Sequence, residues 1–478
     1  MPHTALPLSS AEARSPWWLA ALLTVTLAAP ALSVAQTVAP ALAAPALVGE
    51  IESVRGVGFA QTPGQAPRIL SKGTPLQEGD RLTTAPNAVA VLLLKDGTRM
   101  TLRPETDMVM TQFRYSQGAA DNSMLLNLVK GGLRALTGLI SKGSPNAARI
   151  QTSTATVGIR GTDFDARLCQ HDCATEAQAI GGEARPTQAA VSARVILLQG
   201  EALAINPAGL QRKLSNGAPI FVDEVVETGP AAHAVLAFRD DSRLTLGATT
   251  RFRIDQFAYD AEHPQAGRFL VSLLRGSLRA LTGLIGKANT RNVAFSTATA
   301  TVGIRGTGLD LVCTGTCANE TEGEGQGFQA YTWLGSIEVT PGGQTLAQVL
   351  QSGQGVFISN AGLRATTGIT GPSAINPPPR PDGVTPPPGT FSTTPVGDTE
   401  DGLFINVRDG HISVTTASGV LQLGRDEVGV ARPDGSLARA QRLPRFIEFD
   451  RVPLPSTQQF NVRSLLNNAG FGEAQQCK

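Results

Sequence analysis

Residues 90–102 read AVLLLKDGTRMTL and residues 234–246 read AVLAFRDDSRLTL, in each case two short apolar runs around a polar turn. In the first, Asp96-Gly97 is a hairpin turn dipeptide, because such turns need residues that accept a positive φ. FSTATATVGIRGTGLDLV (295–312) sets Thr, Ala, Val and Ile on a period close to two. That period suits a pleated, half-buried strand and not a helix. A smaller strand–Gly turn–strand element recurs as ESVRGVGFA (52–60), ILLQGEALAI (196–205), TWLGSIEV (332–339) and INVRDGHISV (405–414). The pattern predicts an all-β fold of stacked hairpins, with sandwich and solenoid-like arrangements both open.

The pattern is also duplicated. TATVGIRGT occurs at 154–162 and 299–307, RALTGLI at 134–140 and 279–285, and LVKGGL (128–133) matches LLRGSL (273–278). Matched blocks at a near-constant offset are the mark of tandem repeats. The sequence predicts a first β domain over 47–194 and a second over 195–360, with hairpin 195–222 also closing the first. A Pro-rich linker follows at 361–400, with nine prolines in 371–400, and such a stretch is expected to act as an extended spacer. A small β-rich segment at 401–450 is expected to form a hairpin of its own, with RFIEF (445–449) as a closing strand and 451–478 as a tail.

Forty Lys+Arg against 39 Asp+Glu give a net charge of +1, so no global field draws in nucleic acid or an anionic membrane. The N-terminus adds a compartment. Arg14 precedes the apolar run WWLAALLTVTLAA (17–29), Pro30 breaks it, and Ser33-Val34-Ala35 offers a cleavage site. Residues 1–35 read as a signal peptide, and no stable membrane span is expected after its removal. The alternative, an uncleaved anchor, requires reading through Pro30. Either way the remaining chain is expected outside the cytoplasm, periplasmic or secreted. The pairs Cys169/Cys173 and Cys313/Cys317 then read as two local disulfides at hairpin tips, against a four-Cys zinc site that needs both pairs to converge. Cys477 is left over.

The repeated nonapeptide is not a phosphate loop. Its glycines are three apart, no Lys-Ser/Thr follows, and its context is a strand. Gly158, Arg160, Gly161 and Thr162, with Gly303, Arg305, Gly306 and Thr307, are therefore expected to shape backbone, the glycines at a bulge or a close backbone approach and the arginines on carboxylates or carbonyls. No nucleophile elbow and no histidine pair at metal spacing occurs, so no catalytic residue, metal or cofactor is expected. Asp165 and Asp310 hold matched positions and are expected to be solvated or salt-bridged. Lys130, Arg134 and Lys142 match Arg275, Arg279 and Lys287. These six either form a stripe for a polyanion or are copied surface and edge charges.

Taken in order, LSKGTPLQEGDRLTT (70–84), Asp96-Gly97-Thr98, Val129-x-x-Gly132-Leu133-Arg134 and Thr154–Phe164 resemble the FecR domain. In the second copy Gly308-Leu309 stands where the first has Asp163-Phe164, and Val222-Asp223 is read as replacing Gly79-Asp80. The resemblance implies a periplasmic all-β module. In its best-known form it also implies a transmembrane regulator that senses a receptor outside and binds a sigma factor inside. About sixteen residues precede the apolar run, too few for a sigma-binding region. The expected function is thus a non-enzymatic exported protein that binds or scaffolds a protein or envelope partner in a Gram-negative bacterium. A cell-surface signalling component and an acidic-glycan-binding protein are the alternatives.

Overall fold

The computed structural model describes residues 46–453 and 455, apart from 144–146, 181, 183, 188–190, 322–325, 360–377 and 451. The expected signal peptide, most of the tail and Cys477 lie outside the described residues. Among those described, no helix is long and apolar enough to cross a membrane.

The chain is all-β, and each repeat builds one large sheet. The first repeat contributes, among others, Leu47–Arg55, Val89–Leu94, Arg99–Leu102, Ser123–Leu136, Ala148–Gln151 and Thr156–Cys169. The second repeats this series as Ala193–Gln199, His233–Phe238, Arg243–Leu246, Arg268–Leu281, Val293–Ser296 and Ala300–Cys313. Ladders are antiparallel except for one parallel pair in each sheet, Ala148–Gln151 on Ser123–Leu136 and Val293–Ser296 on Arg268–Leu281. Alternating apolar residues bury into two separate cores, one per repeat.

The repeated motifs are mutual latches. Thr162 N–H donates to Thr137 Oγ1 (2.8 Å), whose hydroxyl donates back to the Thr162 carbonyl (3.1 Å), and Thr307 and Thr282 make the same exchange. Gly138 and Gly283 of RALTGLI pack on the turns at Asp96 and Asp240, where an added Cβ would overlap the backbone. Gly161 (φ +57°) and Gly306 (φ +69°) sit at the register break of their long strands, so they mark the expected bulges. Gly158 and Gly303 lie in regular ladder and do not.

The long strand of the second repeat, Ala300–Cys313, pairs with the next strand along, Phe328–Pro341. The corresponding strand of the first repeat, Thr156–Cys169, pairs with Gly402–Thr416 near the end of the described chain. The partner differs greatly in sequence distance: Asn406 donates to Asp165 from 241 residues away, whereas Trp333 donates to Asp310 from 23. Leu403, Ile405, Val407, Ile412 and Val414 join the first core, and Phe404 on the opposite face joins a third, small core with Phe446 and Ile447.

This arrangement corrects four expectations about organisation. The 195–222 hairpin does not close the first repeat, because Ala193–Gln199 already has both edges filled by Pro219–Ile220 and His233–Phe238. The 401–450 segment is no separate hairpin unit; it completes the first sheet. RFIEF forms a helical turn, Arg445–Glu448, since its adjacent Phe446 and Ile447 both bury and Pro444 starts a turn. The described part of the Pro-rich stretch is a strap and not a free spacer. Its Pro378 and Val384 carbonyls accept from Arg279 (2.9 Å) and Arg243 (3.1 Å), and Thr394 N–H donates to the Arg439 carbonyl (2.8 Å).

The cysteines form the two local disulfides, Cys169–Cys173 and Cys313–Cys317, which removes the thiols a shared zinc site would need. They do not sit at hairpin tips. Each joins the end of a long strand to the helical turn that follows it, Asp172–Ile180 or Gly315–Ala318.

Candidate functional site

Where the two repeats meet the C-terminal hairpin, a cleft of about 610 Å³ opens. The first repeat supplies Lys142 and the bulge residues Arg160 and Gly161, the second supplies Leu203, Leu210, Arg212, Lys213, Phe221 and Glu224, and the hairpin supplies Asp409, Gly410 and Arg425. The walls are drawn together by small residues. A Cβ on Gly424 would come within 2.6 Å of the Phe221 ring, and one on Gly217 within 3.0 Å of Gln422. Beneath them Arg194, almost fully buried, pairs with Glu427 across the junction.

Electrostatically the cleft is positive, with five cationic side chains against two carboxylates in its lining. Glu224 is engaged by Arg212 (2.6 Å) and by the Phe221 N–H (3.0 Å). Phe221 lies between two guanidiniums, Arg212 at 5.8 Å and Arg425 at 5.3 Å from its centroid, a cation–π arrangement. Arg160 donates from Nη1 to the Lys213 carbonyl (2.9 Å), while burial and the charge of Arg212 lower its pKa. His411, wholly buried behind the cleft, faces Arg160, Arg194, Arg212 and the Gln422 side chain. Burial, followed by those cations, pushes its pKa well below the ordinary histidine value.

The polyanion stripe does not exist as six free cations. Arg134 and Arg279 are buried or nearly so and hold Asp165 (2.7 Å) and Asp310 (2.9 Å), which are thereby salt-bridged as expected. Asp165 also accepts from Arg408 and Asn406, and Asp310 from Trp333 Nε1 (3.1 Å). Lys130 pairs with Glu105 (3.3 Å) and Arg275 with Glu320 (2.9 Å). Lys142 reaches the cleft, and Lys287 is exposed on its own short helix. Arg134 and Arg279 are framework cations, because the ladder sets each opposite the aspartate of the neighbouring strand, whereas Lys130 and Arg275 pair with carboxylates in surface turns.

Of the cleft residues, sequence reasoning singled out Arg160, Gly161 and Lys142 and missed Arg212, Phe221, Arg425 and His411. A signal for Arg212 was present. Arg68–Asp80 (2.6 Å) and Arg212–Glu224 (2.6 Å) are the same ion pair in the two repeats, 144 positions apart. The same match places Asp223 (φ +66°) opposite Gly79 (φ +86°), which corrects the Val222-Asp223 alignment by one residue. Arg425 and His411 carried no such mark.

A second cavity, about 770 Å³, borders Arg103, Glu176 and Asp450. Arg103 is buried against both acids, and burial brings its pKa down to about 10. These groups are bound to one another and form a structural ion cluster.

The FecR protein family matches residues 80–185 and 224–323. No curated protein matches the chain. Two crystal structures of a candidate anti-sigma factor from Parabacteroides distasonis ATCC 8503, at 1.65 and 2.50 Å, align at 15% identity with a TM-score of 0.22. Each alignment covers 30% of this chain and 57% of that one, so the match spans little more than half of that protein.

Proposed function

From the premise that the chain is a FecR-domain protein with two copies of the domain, we propose that it is an exported, non-enzymatic binding or scaffolding protein of the Gram-negative cell envelope. It engages its partner through the cleft between the repeats. The observation that carries this reading is the clasp. The C-terminal hairpin is a strand of the first repeat on one side and a wall against the second on the other, so three distant segments make one composite surface. Titratable groups elsewhere support a framework role, since Asp165, Asp310 and Arg134 are engaged with one another or with neighbouring strands.

Sequencing the N-terminus of the protein recovered from cell fractions tests the compartment. A start near Gln36 in periplasm or medium is expected, and a full-length, reduced chain in the cytosol overturns the reading. Affinity capture from envelope extract tests binding. A partner held by the native chain and lost on cleft substitution is expected. A second reading, a cell-surface signalling component, draws on the family match itself. It requires that residues 17–35 remain in the membrane, which the same N-terminal sequence decides.

A further inference from the structure

Arg160 and Arg305 are the same residue of the repeated nonapeptide, yet their surroundings differ, and the counter-ion is one difference. Arg305 has a carboxylate, Glu338, at 3.6 Å, and Glu338 stands opposite Gly303 in the ladder. The first repeat has the same register, and there Ser413 stands opposite Gly158. The C-terminal strand therefore delivers a hydroxyl where the second repeat has its counter-ion. Among the described residues Arg160 pairs with no carboxylate. Its Nε and the Nη1 of Arg212 are both buried without an acceptor. The two guanidiniums have one counter-ion between them, Glu224 on Arg212 (2.6 Å), and each keeps an unfilled donor, so an added anion would offset the remaining charge. The adjoining wall is apolar, formed by Leu203, Pro207, Leu210 and the Phe221 ring. The cleft volume is that of a small-molecule site.

We propose that this cleft binds a small amphiphilic oxyanion, with its carboxylate or phosphate head on Arg160 and Arg212 and its apolar body along Leu203 and Leu210. The inference rests on the reading of the cleft as the binding site and adds the chemistry of what it takes. A carboxylate head could come from a fatty acid and a phosphate head from a lipid fragment. Both present planar or tetrahedral oxygens to guanidinium donors while burying a chain.

Calorimetric titration of the full exported chain with octanoate, octyl phosphate, octanol and inorganic phosphate tests it. Octanoate or octyl phosphate is expected to bind, and whichever is tighter assigns the head group. Octanol and inorganic phosphate are expected to bind at least about tenfold more weakly, as each lacks one half of the contact. Arg160→Gln should weaken the bound probe about tenfold or more. Ser413→Glu should do the same by supplying the counter-ion internally, at the register position that Glu338 holds in the second repeat. Unchanged circular dichroism and melting of Ser413→Glu would show that the fold is intact. Absence of binding by both amphiphiles, binding unchanged in both variants, or inorganic phosphate binding as tightly as octyl phosphate would overturn the proposal. If an envelope partner is captured equally by the native and Ser413→Glu chains, the cleft reading itself fails. If capture is lost in Ser413→Glu but octanoate and octyl phosphate never compete, only the oxyanion inference fails.

Discussion

The guanidinium of Arg408 holds the carboxylate of Asp163 at 2.5 Å, and in the second repeat the same two places are taken by Trp333 and Gly308. The two substitutions belong together. Trp333 lies over Gly308 so closely that any Cβ there would overlap the indole, and its Nε1 replaces Arg408 as a donor to the strand aspartate. The departure of Gly308-Leu309 from Asp163-Phe164 is thus a steric consequence of the facing strand. Gly308→Asp is expected to destabilise the protein by about 1–3 kcal/mol through overpacking, read as a lower urea midpoint. Adding Trp333→Arg should return much of that loss, because the pair then reproduces Asp163–Arg408. Purely additive losses in the double-mutant cycle would refute the coupling.

Gly308 and Trp333 also show what was legible in the sequence. Strands, turns and both copies of the domain follow from period-two patterning and a fixed offset. The meaning of RALTGLI and TATVGIRGT follows once the Thr137–Thr162 latch is seen. The partner of Thr156–Cys169 was not legible. Periodicity says that 405–414 is strand, and the strands after it, Gly419–Gly424 and Val428–Ala431, do pair with it, but nothing in the pattern says that its other edge pairs with Thr156–Cys169 some 245 residues back. The cleft inherits that limit. Arg160 stood out by repetition, but the residues that make it a site arrive from the distant C-terminal segment, His411 and Ser413 on the strand Gly402–Thr416 and Arg425 in the turn after the next strand.

The disulfides are expected to matter little for global stability. Each closes a loop of only a few residues, for which the chain-entropy model gives about 2 kcal/mol at most. Cys169→Ala with Cys173→Ala, and Cys313→Ala with Cys317→Ala, should each lower the unfolding free energy by no more than this. The pairs lie in different cores, so their effects should add. Denaturant titrations of the two double variants and the quadruple variant measure both points. A loss of folding in either double variant would refute them.

His411 gives the junction a pH dependence whose sign is fixed. In the folded chain burial and the charges of Arg160, Arg194 and Arg212 hold its pKa well below 6.5, while Gln422 faces it as a neutral group. The unfolded chain takes up the proton near pH 6.5, so it binds more protons than the native state below that pH. Stability from this group is complete above about pH 6.5 and falls as pH drops towards the depressed native value, by at most about 1.4 kcal/mol per pH unit. Urea unfolding at pH 7.5 and 5.0 should show a larger loss in the native chain than in His411→Asn. Equal losses would mean that the ring does not titrate on unfolding as argued.

The C-terminal hairpin makes the two repeats unequal in how they can fold. The second repeat holds all its strands within Ala193–Ile358 and pairs its long strand with a close neighbour. The first leaves the outer edge of Thr156–Cys169 open until Gly402–Thr416 has been made. A chain ending at residue 401 would expose that edge together with the core sites of Leu403, Ile405, Val407, Ile412 and Val414. Hydrogen exchange on such a chain is expected to show protection lost across 123–169 and kept across 233–313. Adding a separate peptide of residues 402–440 should restore protection in the first repeat, because the missing element is a strand that needs no covalent link to pair. Uniform protection in the truncated chain would mean that the first repeat closes on its own, and the clasp that builds the cleft would then be dispensable.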